Sequence, residues 1–197
     1  MSVSHTRTAT IAEGERVVPM KMAHLVFRCA DRKAMVDWYR KLFQADLVFE
    51  DEILTFITYD DEHHRLAFFN MPHLPPKSDE VTGVHHIAYS YTRIDDLLRT
   101  YLRLKEEGIR PYWCINHGPT TSLYFRDPEG NDIELQVDNF SEAADAAAFF
   151  HSETFANDPI GLEFDPDTMV ELWLGGASEA ELCRLGTAGT GTRTLLG

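Results

Sequence analysis

One run of the chain concentrates residues that could do chemistry: His117, Tyr124, the turn Asp127-Pro128-Glu129-Gly130, and Glu134 within Ile133-Glu134-Leu135-Gln136-Val137. Proline presets φ at the second position of a turn and glycine frees the exit, so two strands are expected to meet there as a hairpin. Glu134 is then a carboxylate inside an apolar strand. It either faces water on a half-exposed sheet or needs a partner, because an unpaired buried charge is costly. Two histidines elsewhere offer that partner. His24 and His86 begin similar strands, His24-Leu25-Val26-Phe27 and His86-Ile87-Ala88-Tyr89. Two imidazoles and one carboxylate with open positions are the ligand set associated with non-haem Fe(II) and oxygen chemistry.

The elements that must bring these groups together form a degenerate repeat. Ala23–Cys29 reads as a strand, Asp31 as a helix N-cap, and Met35, Trp38, Tyr39, Leu42 and Phe43 as a helical stripe. Strand-like runs follow at Asp46–Phe49, Ile53–Tyr59 and His64–Phe69. A proline-rich linker, with Pro72, Pro75 and Pro76, leads to a second round. Val84–Tyr89 is strand-like, Ile94, Leu97, Leu98, Tyr101, Leu102 and Leu104 make a stripe ended by Gly108, and strands are expected at Tyr112–Ile115, Ser122–Phe125 and Ile133–Val137. The expected fold is α+β, with two βαβββ modules (21–71 and 82–140) paired into a partly open β-barrel around a metal site, helices outside.

Three flanking features complete that reading. Residues 1–20 look like a loose arm. Residues 141–197 read as a helical extension: an Ala-rich helix from Ser141 to His151, a start at Asp165-Pro166-Asp167, and a capping box at Ser178 and Glu181. Its apolar residues are expected to pack on the barrel or on a second subunit, and the Gly- and Thr-rich end from Gly186 to fray.

Composition narrows the function classes. The 197 residues are 44% hydrophobic and 25% charged, as in a soluble globular protein. A formal net charge of -14 disfavours nucleic acid and anionic membranes as partners. No apolar run approaches the roughly 20 residues of a membrane span, and the first twenty residues lack a signal-peptide core. Three scattered cysteines fit neither a disulfide framework nor a C-x-x-C metal site, so a reducing cytoplasm is expected.

The repeat together with His117, Leu123-Tyr124, Asp127-Pro128-Glu129-Gly130 and Glu134 resembles a type I extradiol ring-cleavage dioxygenase of the vicinal oxygen chelate superfamily. Glu62-His63-His64-Arg65-Leu66-Ala67 and Val84-His85-His86-Ile87 resemble the paired-histidine strands of 2,3-dihydroxybiphenyl dioxygenases. The resemblance covers roughly His24 to Val137, one catalytic domain, without the additional preceding domain of many members. It implies His24, His86 and Glu134 as ligands of Fe(II), or of Mn(II), which such sites also accept. It implies His64 as the acid–base histidine, and Tyr124 and His117 as groups hydrogen-bonding the substrate oxygens. Val26, two residues beyond His24 on the same strand face, is expected against the substrate ring. His63 and His85 alternate to the opposite faces of ideal strands and are expected to be peripheral. The partners implied are a catechol and O2, in a homo-oligomer.

One difference and one absence matter. The interval from His117 to Tyr124 is shorter than in the biphenyl-type enzymes and holds Gly118, Pro119 and Thr120, so a rebuilt pocket rim is expected. The position symmetric to Glu134 falls in Leu66-Ala67-Phe68-Phe69, which offers no Asp, Glu, Gln or His. A fourth protein ligand is therefore missing. That disfavours the glyoxalase-like isomerases and epimerases of the same scaffold. A thiol transferase has no need of His64, His117 and Tyr124 together, and a metal-free binding protein has no reason to match His24, His86 and Glu134.

Overall fold

A computed structural model describes residues 14, 16–78, 80 and 82–191. Most of the expected N-terminal arm, and the chain end beyond 191, lie outside the described residues.

The first module runs β1 (Leu25–Cys29), α1 (Arg32–Phe43), β2 (Asp46–Glu50), β3 (Leu54–Thr58) and β4 (Leu66–Asn70). Its four strands form one sheet in the order β1-β4-β3-β2, with β1 and β4 parallel and the other pairs antiparallel. The second module repeats this with β5 (His86–Tyr91), α2 (Ile94–Glu106), β6 (Trp113–Asn116), β7 (Thr120–Arg126) and β8 (Asp132–Asp138). The order β5-β8-β7-β6 is the same, again with a parallel first pair. The two sheets are separately hydrogen-bonded, so the assembly is open rather than a closed barrel.

Alternation decides what each face does. Along β1, Phe27 and Cys29 are buried against α1 while Val26 and Arg28 are exposed. The buried stripe of α1 is Met35, Val36, Tyr39 and Leu42, at helical spacing, and the Asp31 side chain accepts the Ala34 N–H as its N-cap. The Tyr39 ring packs, tilted, against Phe27 and Phe68. In α2 the stripe is Ile94, Leu97, Leu98, Tyr101 and Leu104. Both helices feed one apolar cluster, which holds the sheets' outer faces and leaves their inner faces for polar groups.

The segment after β8 departs from a purely helical extension. It comprises α3 (Ala143–Phe149), α4 (Glu153–Asn157), β9 (Leu162–Glu163), α5 (Pro166–Leu174) and α6 (Glu179–Leu182). β9 pairs antiparallel with β6 and becomes the fifth strand of the second sheet. Two residues carry too little pattern to show as a strand. The expected starts are present: Asp165 caps α5, and Ser178 with Glu181 forms the capping box of α6. The segment docks on α2. Tyr101 donates to Asp167 at 2.7 Å, Trp173 donates to Asp95 at 3.1 Å, and Glu179 accepts the Ile94 N–H at 3.1 Å, supplying the N-terminal cap that Arg93 does not. No helix among the described residues is long and apolar enough to cross a membrane.

Candidate active site

The inner face of the second sheet carries the densest polar constellation. Glu134 and Tyr124 are direct cross-strand partners on β8 and β7, both on the inner face and both nearly inaccessible, at 4% and 3% exposure. The neighbouring parallel strand brings His86, whose Nε2 lies 3.0 Å from Glu134 Oε2. The His86 ring also meets Tyr124 edge-on, with centroids 5.3 Å apart. Tyr124 OH in turn lies 3.1 Å from His117 Nε2. Burial, and then the Glu134 charge, push the Tyr124 phenol well above its ordinary pKa. It therefore stays protonated and can donate a hydrogen bond.

His117 leaves β6 through a turn in which its N–H bonds Thr120 O, and Gly118 sits at φ 96°, a conformation that favours glycine. The shortened interval is thus a tight turn, and Asn139 ties it down by donating to Gly118 O at 2.7 Å. His117 Nδ1 lies 2.5 Å from Ile160 O, far along the chain. Trp113 completes this face, 4.7 Å from the Tyr124 ring, with its indole N–H donated to Glu163 of β9 at 3.0 Å. Neither Trp113 nor the Ile160 carbonyl was expected from sequence. Register on β6, opposite Tyr124, is the signal that could have found Trp113.

The turn behind this hairpin is built by Asp127. Its carboxylate accepts the N–H groups of Glu129 and Asn131, the Asn131 amide and the Tyr39 hydroxyl, while Gly130 takes φ 85°. Across the hairpin base Arg126 donates twice to Asp132, at 2.8 and 3.1 Å. Burial alone would raise the Asp132 pKa; the Arg126 hydrogen bonds and charge, with Tyr112 and Lys77, together outweigh it and hold the carboxyl below its ordinary range.

The first sheet presents the other imidazoles. His24 precedes β1 rather than lying within it, and its ring stacks on His64 at 4.6 Å. The His64 ring also stacks with Phe56, at 4.5 Å. Burial, then the nearby His24 and His63, lower the His64 pKa. The expected strand beginning at His64 starts instead at Leu66. His63 and His64 therefore occupy a turn, where side chains need not alternate, and their Nδ1 atoms are 2.5 Å apart. Likewise His85 lies outside β5, and its Nδ1 is 2.8 Å from that of His86. The expectation that each pair splits across a strand is corrected on both counts.

The structure thus pairs His86 with Glu134 and His24 with His64, one pair on each sheet. Among the described residues, no group of three His, Cys, Asp or Glu is close enough to hold a metal ion. Two cavities follow the seam between β1 and β5. One, of about 240 Å³, is lined by His24, Arg65, Ala88 and Ser90. The other, of about 600 Å³, is lined by Val26, Arg28, His86, Asp132 and the proline linker. Val26, 44% exposed, looks into the larger one.

A repeated βαβββ module with its polar groups on the inner faces places this chain in a recognisable class. Residues 21–135 match the glyoxalase/bleomycin resistance protein/dioxygenase superfamily, and the chain belongs to that family. Two curated relatives from Rhodococcus globerulus stand near it. Biphenyl-2,3-diol 1,2-dioxygenase 2 is 44% identical over 147 residues, 74% of this chain and 77% of the relative. Biphenyl-2,3-diol 1,2-dioxygenase 3 is 38% identical over 167 residues, 84% and 88% respectively. Among solved structures, a glyoxylase/bleomycin resistance protein/dioxygenase domain from Frankia sp. EAN1pec shares the fold with a TM-score of 0.53 at 14% identity, covering 64% of this chain and 96% of that one.

Proposed function

We propose that this protein cleaves the ring of a catechol beside its two hydroxyls, inserting both atoms of O2. A 3-substituted catechol such as 2,3-dihydroxybiphenyl is the substrate class. The observation that carries this is the contiguous set His86, Glu134, Tyr124 and His117 on one inner sheet face, in a chain 44% identical to a biphenyl-2,3-diol dioxygenase.

Two members of the expected donor set, His86 and Glu134, are already together and suit a divalent ion, while His24 stands apart from them, stacked on His64. Glu134 is a carboxylate 4% exposed, oriented so that its Oε2 is 3.0 Å from an imidazole nitrogen, and imidazole with carboxylate suits Fe(II) and Mn(II). His86 and Glu134 from the second sheet, with His24 from the first, would hold Fe(II). When bound, the ion would favour loss of a phenolic proton and would supply the redox chemistry between catechol and O2.

The remaining work belongs to side chains. His64, with its pKa lowered, is neutral near pH 7 and can take the second hydroxyl proton at a ring nitrogen, returning it later. Tyr124 keeps its own proton, which faces His117 Nε2 in the free protein and would turn to the substrate oxygen when the catechol enters. Val26 and the cavity at the seam would take the aryl or alkyl substituent. Ring opening then yields a hydroxymuconic-type semialdehyde or ketone. Exposed Leu47, Val48 and Phe49 on the edge strand β2, with Ile53 beside it, support a homo-oligomer.

The test is a panel of catechols mixed anaerobically with the iron-loaded protein and then exposed to O2. Yellow ring-opened product, with oxygen consumed in equal amount, is expected. Iron binding without ring opening on any catechol would leave a different metal enzyme of this scaffold.

A further inference from the structure

The stretch from Phe149 to Gly161 meets the His117 turn at three residues. Ile160 presents its backbone carbonyl to His117 Nδ1 at 2.5 Å. Gly161, at φ 106°, lies so close to the preceding turn that a Cβ there would sit 2.1 Å from Asn116 O and 2.7 Å from His117 Cα. Phe149 of α3 lies over Gly118, where a Cβ would come within 2.2 Å of its ring. The turn that carries His117 thus meets this segment at two points with no room for an added methyl group.

That contact has a chemical consequence. A carbonyl oxygen only accepts, so Nδ1 must carry the proton when it faces Ile160 O. In the neutral ring Nε2 is then left as the acceptor, 3.1 Å from Tyr124 OH. We propose that the Phe149–Gly161 segment is a positioning device for His117, fixing which ring nitrogen faces Tyr124 and which one carries the proton of the neutral ring. The proposal rests on the ring-cleavage function above for its link to turnover. Its structural half stands apart from it.

The experiment uses the full chain with ring-labelled histidine, read by nitrogen NMR at a pH where the ring is neutral. The His117 signals are assigned by their loss in His117→Gln. The wild type should show a single neutral tautomer with the proton on Nδ1. Gly161→Ala pushes the segment off the turn, and Phe149→Ala removes its cover without a clash. Each should give mixed tautomers. Each should also lower kcat on 2,3-dihydroxybiphenyl by ~10²-fold, the order expected when a reacting arrangement shifts by about 1 Å, with iron content unchanged. In a His117→Gln background neither should lower kcat further. The proposal is overturned by a wild-type ring protonated on Nε2, by variants that keep the Nδ1 tautomer, or by losses that are the same in the His117→Gln background. A wild type with the fixed tautomer that opens no catechol would support the positioning and sink the ring-cleavage function.

Discussion

Tyr39 donates its hydroxyl to Asp127 Oδ2 at 3.0 Å, across 88 residues of sequence. The bond joins the helix of one module to the turn that closes the site hairpin of the other. Asp31 adds a second tie by donating its N–H to Glu129 at 2.7 Å. Conformity of that turn therefore depends on how α1 packs, although neither residue touches the inner sheet face.

Tyr39→Phe should destabilise the protein by about 1.5–3 kcal/mol, the worth of a hydrogen bond to a charged group. Three other donors remain on Asp127, so the turn itself should persist. Urea unfolding of both proteins measures this. A difference near zero would mean that Asp127 finds an equivalent partner.

His24→Ala, His86→Ala and Glu134→Ala should each lose bound iron together with ring cleavage, while circular dichroism stays native. Any one of them that retains full iron and turnover does not belong to the ligand set.

His64→Phe should keep iron and still bind catechol, yet lose ~10²–10⁴-fold in rate, the range of a general acid–base group. His63, largely exposed although its ring touches that of His64, should tolerate Phe with little change. Stopped-flow formation of the yellow product, with iron measured on the same samples, separates them. A normal His64→Phe beside a dead His63→Phe would hand the role to His63.

Asp167 gives a pH signature to the docking of α5 on α2. The Lys105 ammonium and then the Tyr101 hydroxyl hold its carboxyl below the usual carboxylate range. The unfolded chain binds that proton at higher pH than the folded one. The stabilisation is therefore complete above the ordinary carboxylate range and is lost as pH falls through the lower folded value. Wild type should exceed Asp167→Asn in urea midpoint at neutral pH, modestly because the group is half exposed, and the gap should close in acid. A gap independent of pH would refute the assignment.

How much of this was legible before folding depends on the kind of signal. The stripes of α1 and α2, and the caps at Asp31, Asp165 and Ser178, are local patterns with local causes, and each element appears where the pattern puts it. The inner-face company of Glu134 and Tyr124 follows from the hairpin at Asp127, because register propagates from a turn. The orientation of His63, His64 and His85 did not follow, since period-two alternation holds only inside strands and these residues sit just outside them. The Ile160 carbonyl was invisible for another reason. A backbone acceptor has no side-chain identity, and its value arises only when a distant segment folds back onto His117.

Val26 pairs with Ala67 across β1 and β4 in the register in which Ala88 pairs with Glu134 across β5 and β8. Ala67 is therefore the twin of Glu134 under the internal repeat, a methyl group where the other half carries a carboxylate. The two halves share a backbone plan and differ at this position: one carries an acid, the other leaves room. Ala67→Glu would restore the lost symmetry. Under the proposed function it should trade catalysis for retention, with slower loss of iron to a chelator and weaker binding of catechol. The openness that lets two reactants meet would then be traceable to a single truncated side chain.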